Sequence, residues 1–166
     1  LREHQALAGE WFASLHTGGA TSADWLPPTD IPYFHTQLEA AREGVRSGLA
    51  HAGVSSSDRR VLRAILSKLE TIDQRWRDLE TACTGMPETL VHGDFVPKNV
   101  RVRPTRSGAE LVAFDWETAG WAIPAADLAL LPGDGGSTGA YHRSVVVHWP
   151  GLRRADIERL RSVGTV

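Results

Sequence analysis

Val61, Leu62, Ile65, Leu66, Leu69, Ile72, Trp76 and Leu79 recur at intervals of three and four and keep one face of a helix apolar for about six turns. No strand accommodates a stripe of that length. The spacing predicts a helix that is the buried spine of the fold, capped by Ser56 or Ser57 and ended by Gly85 and Pro87. The pattern then changes. Thr89-Leu90-Val91 is short and β-prone, Val100 to Arg103 alternates with period two, Pro104 to Gly108 supplies a turn, and Leu111 to Phe114 is a second apolar strand. Together these residues predict one small β-hairpin.

The flanks read as helix. Ala6, Leu7, Trp11 and Leu15 keep near-helical spacing up to Thr17-Gly18-Gly19, Thr21 to Pro32 is an ordered loop rich in proline, and Tyr33 to Leu49 is helical. Beyond the hairpin, Ala126 to Leu131 is predicted helical. The small residues from Gly133 to Ala140 read as a flexible loop, Tyr141 to Trp149 fits helix or strand, and Arg153 to Arg161 forms a last helix. The expected class is α+β, predominantly helical, in a single domain over residues 1–166.

Composition narrows the function classes. The chain has 166 residues, 42% of them hydrophobic, which suffices for a core without staples. Its one cysteine, Cys83, excludes an internal disulfide and a multi-cysteine zinc site. Lys and Arg total 18 against 20 Asp and Glu, so there is no global basic field for nucleic acid or anionic lipid. No apolar run approaches the roughly 18 residues needed to cross a bilayer. The opening Leu-Arg-Glu-His is neither an initiator methionine nor a signal peptide, and the chain is expected to begin inside a longer protein.

The chemistry-bearing residues sit at the two edges of the hairpin. His92-Gly93-Asp94-Phe95-Val96-Pro97-Lys98-Asn99 precedes it and Asp115-Trp116-Glu117 follows it. Both aspartates come directly after β-prone segments, at strand ends where rigid backbone aims a side chain. A hairpin brings its ends together, so Asp94, Asn99 and Asp115 are expected to converge as oxygen ligands for a hard cation such as Mg²⁺. Two acids at short range need a cation or donor between them. The Asp-to-Asn separation equals that of the kinase catalytic loop, H-R-D-x-x-x-x-N, with a further metal-binding Asp after the next hairpin.

These residues resemble the aminoglycoside phosphotransferase and choline kinase-like family, small-molecule kinases with a protein-kinase-like fold. The likeness is carried by Leu90 to Val100, by Ala113-Phe-Asp-Trp-Glu117 and by Gly120 to Ala129, with Leu15-His16 matching a Leu-His pair near a helix end. It implies a protein-kinase-like C-terminal lobe whose catalytic and metal segment spans residues 89–130, with Asp94 as base or orienter for the substrate hydroxyl. Asn99 would be a metal ligand, Asp115 the main metal ligand, Asp127 a buried acid bracing the catalytic loop, and His92 a loop-fixing residue. It further implies Mg²⁺, ATP or GTP as phosphoryl donor, a small-molecule hydroxyl acceptor such as an aminoglycoside-like antibiotic, and a cytoplasmic enzyme; separately, 16 Arg against 2 Lys with abundant Ala and Gly fits a GC-rich bacterial genome. Gly93 stands where protein kinases carry Arg, so regulation through a phosphorylated activation loop is not expected.

The family also needs an N-terminal lobe with a strand-borne lysine. Only Lys68 and Lys98 occur, one inside the long helix and one in the catalytic loop, so that lobe is expected to be absent from these residues and the fragment inactive alone. A catalytically silent, kinase-like ligand-binding or partner-docking module is the competing reading. Two readings stand for Glu117, a metal or water orienter and a solvated structural acid. Two also stand for Lys98, a phosphate contact and a solvated or salt-bridged lysine. Trp116 and Trp121 read as packing residues or as pocket walls, and the remaining histidines lack metal spacing.

Overall fold

A computed structural model describes residues 4–18, 25–106, 108–131 and 135–165. Its contacts group into two compact units, residues 1–28 with 85–166, and residues 29–84.

The first unit opens with α1 (Gln5–Gly18) and continues after residue 85 with β1 (Thr89–Val91), β2 (Val100–Thr105), β3 (Gly108–Ala113), β4 (Gly120–Ala122), α5 (Ala125–Ala129), α6 (Gly136–Val145) and α7 (Arg154–Val163). β2 and β3 form the predicted antiparallel hairpin, with Val100 opposite Ala113 and Thr105 opposite Gly108. A second antiparallel pair was not legible in the sequence. β1 runs against β4 with Leu90 opposite Trp121, and Trp121 N–H donates to the Pro27 carbonyl at 3.0 Å. Three-residue strands carry too little periodicity to announce themselves.

The core of this unit is Phe12, Leu128, Tyr141, Val145, Ile157 and Leu160, all fully buried. α1 packs on α6 and α5 on α7. The flexible loop expected over Gly133 to Ala140 is corrected here: residues 132–134 lie outside the described residues, and from Gly136 the chain is helical. Its small residues serve close packing. A Cβ at Gly9 on α1 would overlap the Ser137 carbonyl oxygen and lie 2.9 Å from Tyr141 N, and Ser137 and Thr138 are fully buried. Two helix backbones approach this closely only across residues without bulk.

The second unit contains α2 (Ile31–Ala50), α3 (Ser56–Gln74) and α4 (Trp76–Cys83). α2 starts at Asp30, whose side chain accepts the Tyr33 N–H at 2.9 Å, with Pro32 tolerated in the first turn. Ser55, rather than Ser56 or Ser57, caps α3 by accepting the Asp58 N–H at 3.1 Å. The long helix is also interrupted, at Arg75. It is not a buried spine: no α3 residue is buried, and Val61 and Ile65 are 57% and 41% exposed. Within this unit α3 has one long partner, α2, and a single helix cannot enclose the whole of so long a stripe. Among the described residues no helix is long and apolar enough to cross a membrane.

Candidate active site

The segment between β1 and β2 is short and heavily tied. Gly93 has φ +78°, and a Cβ there would lie 2.7 Å from the Thr118 carbonyl oxygen, so glycine meets both a left-handed backbone and a close approach. The arginine of protein kinases has no room here. Thr118 Oγ1 donates to the His92 carbonyl at 3.0 Å, closing the other side of the turn.

His92 is fully buried and links both edges of the hairpin. Its Nε2–H donates to the Phe114 carbonyl at 3.0 Å, and its Nδ1 accepts the Asp94 N–H at 3.3 Å. A carbonyl only accepts and an amide N–H only donates, which fixes the neutral Nε2–H tautomer. Asp127, also fully buried, receives His92 N–H on Oδ2 and Gly93 N–H on Oδ1, each at 2.8 Å. The same Oδ2 receives His16 Nε2–H at 3.1 Å. Three donors on one buried carboxylate offset the cost of removing its charge from water.

Beneath this turn lies a bed of rings, two of which, Trp11 and Phe12 on α1, the sequence did not mark as part of the site. Trp11 stacks on Phe95 with centroids 4.9 Å apart, Phe12 lies 4.4 Å from Phe95, and Trp116 lies 4.6 Å from His92. Such packing adds rigidity to a loop that carries reactive groups. Trp116 packs on His92 while staying 41% exposed.

Asp94 presents a partly exposed carboxylate. Asn99, at the end of a 3-10 turn (Pro97–Asn99), donates Nδ2 to Asp94 Oδ2 at 2.9 Å and to the Asp94 carbonyl at 3.0 Å. Lys98 Nζ lies 3.4 Å from Asp94 Oδ2 with its side chain 70% exposed, which makes it a salt-bridged, solvated lysine. Exposed pairs of this kind contribute ~0–1 kcal/mol. Phe114 N–H donates to the Asn99 carbonyl at 2.9 Å, so the backbone leading into Asp115 runs beside Asn99. Asp115 has φ +64°, the one left-handed non-glycine among the described residues. Glu117 is exposed, in the turn before β4.

The sequence matches the phosphotransferase enzyme family over residues 1–156. The chain belongs to that family. It is similar in structure to an ethanolamine kinase of Plasmodium vivax, with a TM-score of 0.60, 16% identity, and coverage of 96% of this chain and 48% of that one. The chain thus spans about half the length of that kinase and has its fold. A comparison with curated protein sequences finds no significant match.

In this phosphotransferase-family chain the donor set can be tested for a magnesium site by its chemistry. Asn99 commits its amide nitrogen to Asp94, which leaves its amide oxygen as the ligand it can offer. The Asn99 amide oxygen and the exposed Asp115 carboxylate are both oxygen donors of the kind a hard cation takes. Among the described residues no three His, Cys, Asp or Glu side chains cluster as a self-sufficient metal site.

Proposed function

We propose that this chain carries the catalytic segment of a small-molecule kinase that moves the γ-phosphoryl group of ATP or GTP to a hydroxyl of a small acceptor. The observation that supports it is the Asp94 carboxylate, paired with Asn99 and presented on a loop whose two preceding amides are clamped by buried Asp127. Asp94 orients the acceptor hydroxyl and takes up its proton as the oxygen bonds to the γ-phosphorus and the bond to the nucleoside diphosphate breaks. Asn99 Oδ1 and the Asp115 carboxylate would hold magnesium. The ion, when bound, neutralises charge on the phosphate oxygens. His92 keeps both hairpin edges in register, Asp127 braces the loop, and Lys98 tempers the charge of Asp94. Glu117, exposed near Asp115, is proposed as an outer group orienting water.

Acceptors with an amine beside the hydroxyl come first, both aminoglycosides and amino-alcohols, given the fold shared with an ethanolamine kinase. Neither lysine of these residues lies on a strand, so the lysine that anchors nucleotide phosphates is proposed to come from outside them. ADP formation by the full-length protein over a panel of such acceptors is the direct test. Asp94→Ala should reduce turnover about 10²- to 10⁴-fold while leaving Mg·ATP affinity nearly intact. Unchanged turnover removes Asp94 from the mechanism. Saturable acceptor binding without any ADP formation would instead favour a silent binding module.

A further inference from the structure

Tyr141 has no part in the site described so far, yet with His16 it forms a buried hydrogen-bonded chain that ends on Asp127. His16 Nδ1 lies 2.9 Å from the Tyr141 hydroxyl and Nε2 lies 3.1 Å from Asp127 Oδ2. The His16 and Asp127 side chains have no solvent exposure, and Tyr141 is fully buried. Burial, with the negative charge of Asp127 close by, pushes the Tyr141 hydroxyl far above its ordinary pKa, so it keeps its proton and can donate it. Asp127 only accepts. His16 Nε2–H thus donates to Asp127, and Nδ1 is the ring atom that pairs with the Tyr141 hydroxyl.

We infer that Tyr141 is a positioning residue for the catalytic loop: its hydroxyl orients the His16 ring, and through it the Asp127 carboxylate already seen to hold the His92 and Gly93 amides. The ring contacts of His16, stacked on Phe12 at 5.4 Å and edge-on to Tyr141 at 5.5 Å, hold its plane but do not distinguish its nitrogens from its carbons. The Tyr141 hydroxyl does distinguish them, because it pairs with nitrogen and not with a ring carbon. A flipped ring would withdraw Nε2 from Oδ2 and leave the carboxylate free to rotate away from the two loop amides. The contact at Gly9 sets the scale of this device, since it brings α1 close enough to α6 for His16 and Tyr141 to meet.

Only the kinetic part of the test rests on the phosphotransferase reading. Full-length protein carrying Tyr141→Phe, His16→Phe or His16→Gln is compared with the parent by amide hydrogen exchange at His92 and Gly93, with Ile157 and Leu160 on α7 as internal references. Tyr141→Phe and His16→Phe should speed exchange at the two loop amides by about ten- to a hundredfold relative to the references. His16→Gln, whose amide nitrogen can reach the Nε2 position, should restore most of the protection. Turnover should fall with the loop amides in the first two variants, with the KM for Mg·ATP within about twofold of the parent. Loop amides that exchange in step with the α7 references, or a Gln variant as defective as Phe, would overturn the inference. If the parent forms no ADP at all, the exchange comparison still decides the matter and the failure falls on the phosphotransferase reading.

Discussion

Asn99 reaches back five residues and donates its side-chain amide to Asp94 twice, to the backbone carbonyl at 3.0 Å and to Oδ2 at 2.9 Å. Asn99→Ala deletes both bonds at a buried position and should cost about 1–3 kcal/mol of stability. Asn99→Asp instead sets a carboxylate against the Asp94 carboxylate. It should be the less stable variant in a chelator and recover with millimolar Mg²⁺, as read by urea denaturation. Insensitivity of that variant to magnesium would argue against a cation at this pair.

Gly93 meets two constraints at once, φ +78° and the Thr118 carbonyl 2.7 Å from where a Cβ would sit. Gly93→Ala should cost about 1–3 kcal/mol. Gly93→Arg, which restores the residue of protein kinases, should be no better tolerated. A thermal melt of either variant matching the parent would show that the turn relaxes freely.

Asp115 holds a left-handed backbone, a conformation that Asp and Asn tolerate better than other side chains. Asp115→Asn should therefore remain within about 0.5 kcal/mol of the parent in stability, whereas Asp115→Ala should lose about 1 kcal/mol more. Both should weaken Mg·ATP binding by the full-length protein. Denaturation and calorimetry across a magnesium titration separate the two effects.

Acid stability should depend on Asp156, at the start of α7. Its Oδ2 accepts from Arg153 Nε at 3.0 Å and from Arg153 N–H at 2.9 Å, its Oδ1 accepts from Arg153 Nη2 at 3.0 Å, and Arg159 Nη1 lies 3.0 Å from Oδ1. The Arg153 side-chain and backbone hydrogen bonds, then the charges of Arg153 and Arg159, hold this carboxyl far below the usual carboxylate range. A carboxyl whose folded pKa lies below its unfolded value of about 3.9 stabilises fully above that value and loses its contribution as pH falls toward the folded pKa. The stability difference between the parent and Asp156→Asn should thus hold steady from neutral pH to about 5 and close below about 4. A difference that widens on acidification would contradict the assignment.

The readable parts of this protein are those encoded over short distances. Asp94 and Asn99 meet because five residues separate them across one 3-10 turn, and the hairpin shows in the alternation from Val100 to Arg103. Helix existence was legible from spacing, but burial was not. The stripe of α3 identifies a helix, while how far the stripe is covered depends on the partner that packs against it. Composition misled at Gly136 to Ala140, where smallness reflects the close contact of α6 with Gly9 rather than freedom of the chain. Nothing local marks His16 as a neighbour of Asp127 and Tyr141, because they lie 111 and 125 positions further along the chain.

That same separation orders events during synthesis. The loop at 92–99 leaves the ribosome after α1 and before Asp127, and Tyr141 follows later still. Contacts this remote form late, after the entropy of closing the intervening chain has been met. A nascent chain stalled ahead of α6 would carry residues 92–117 whole and still lack the outermost tie of the loop. The buried ties of that loop are in this sense complete only once α6 has been made.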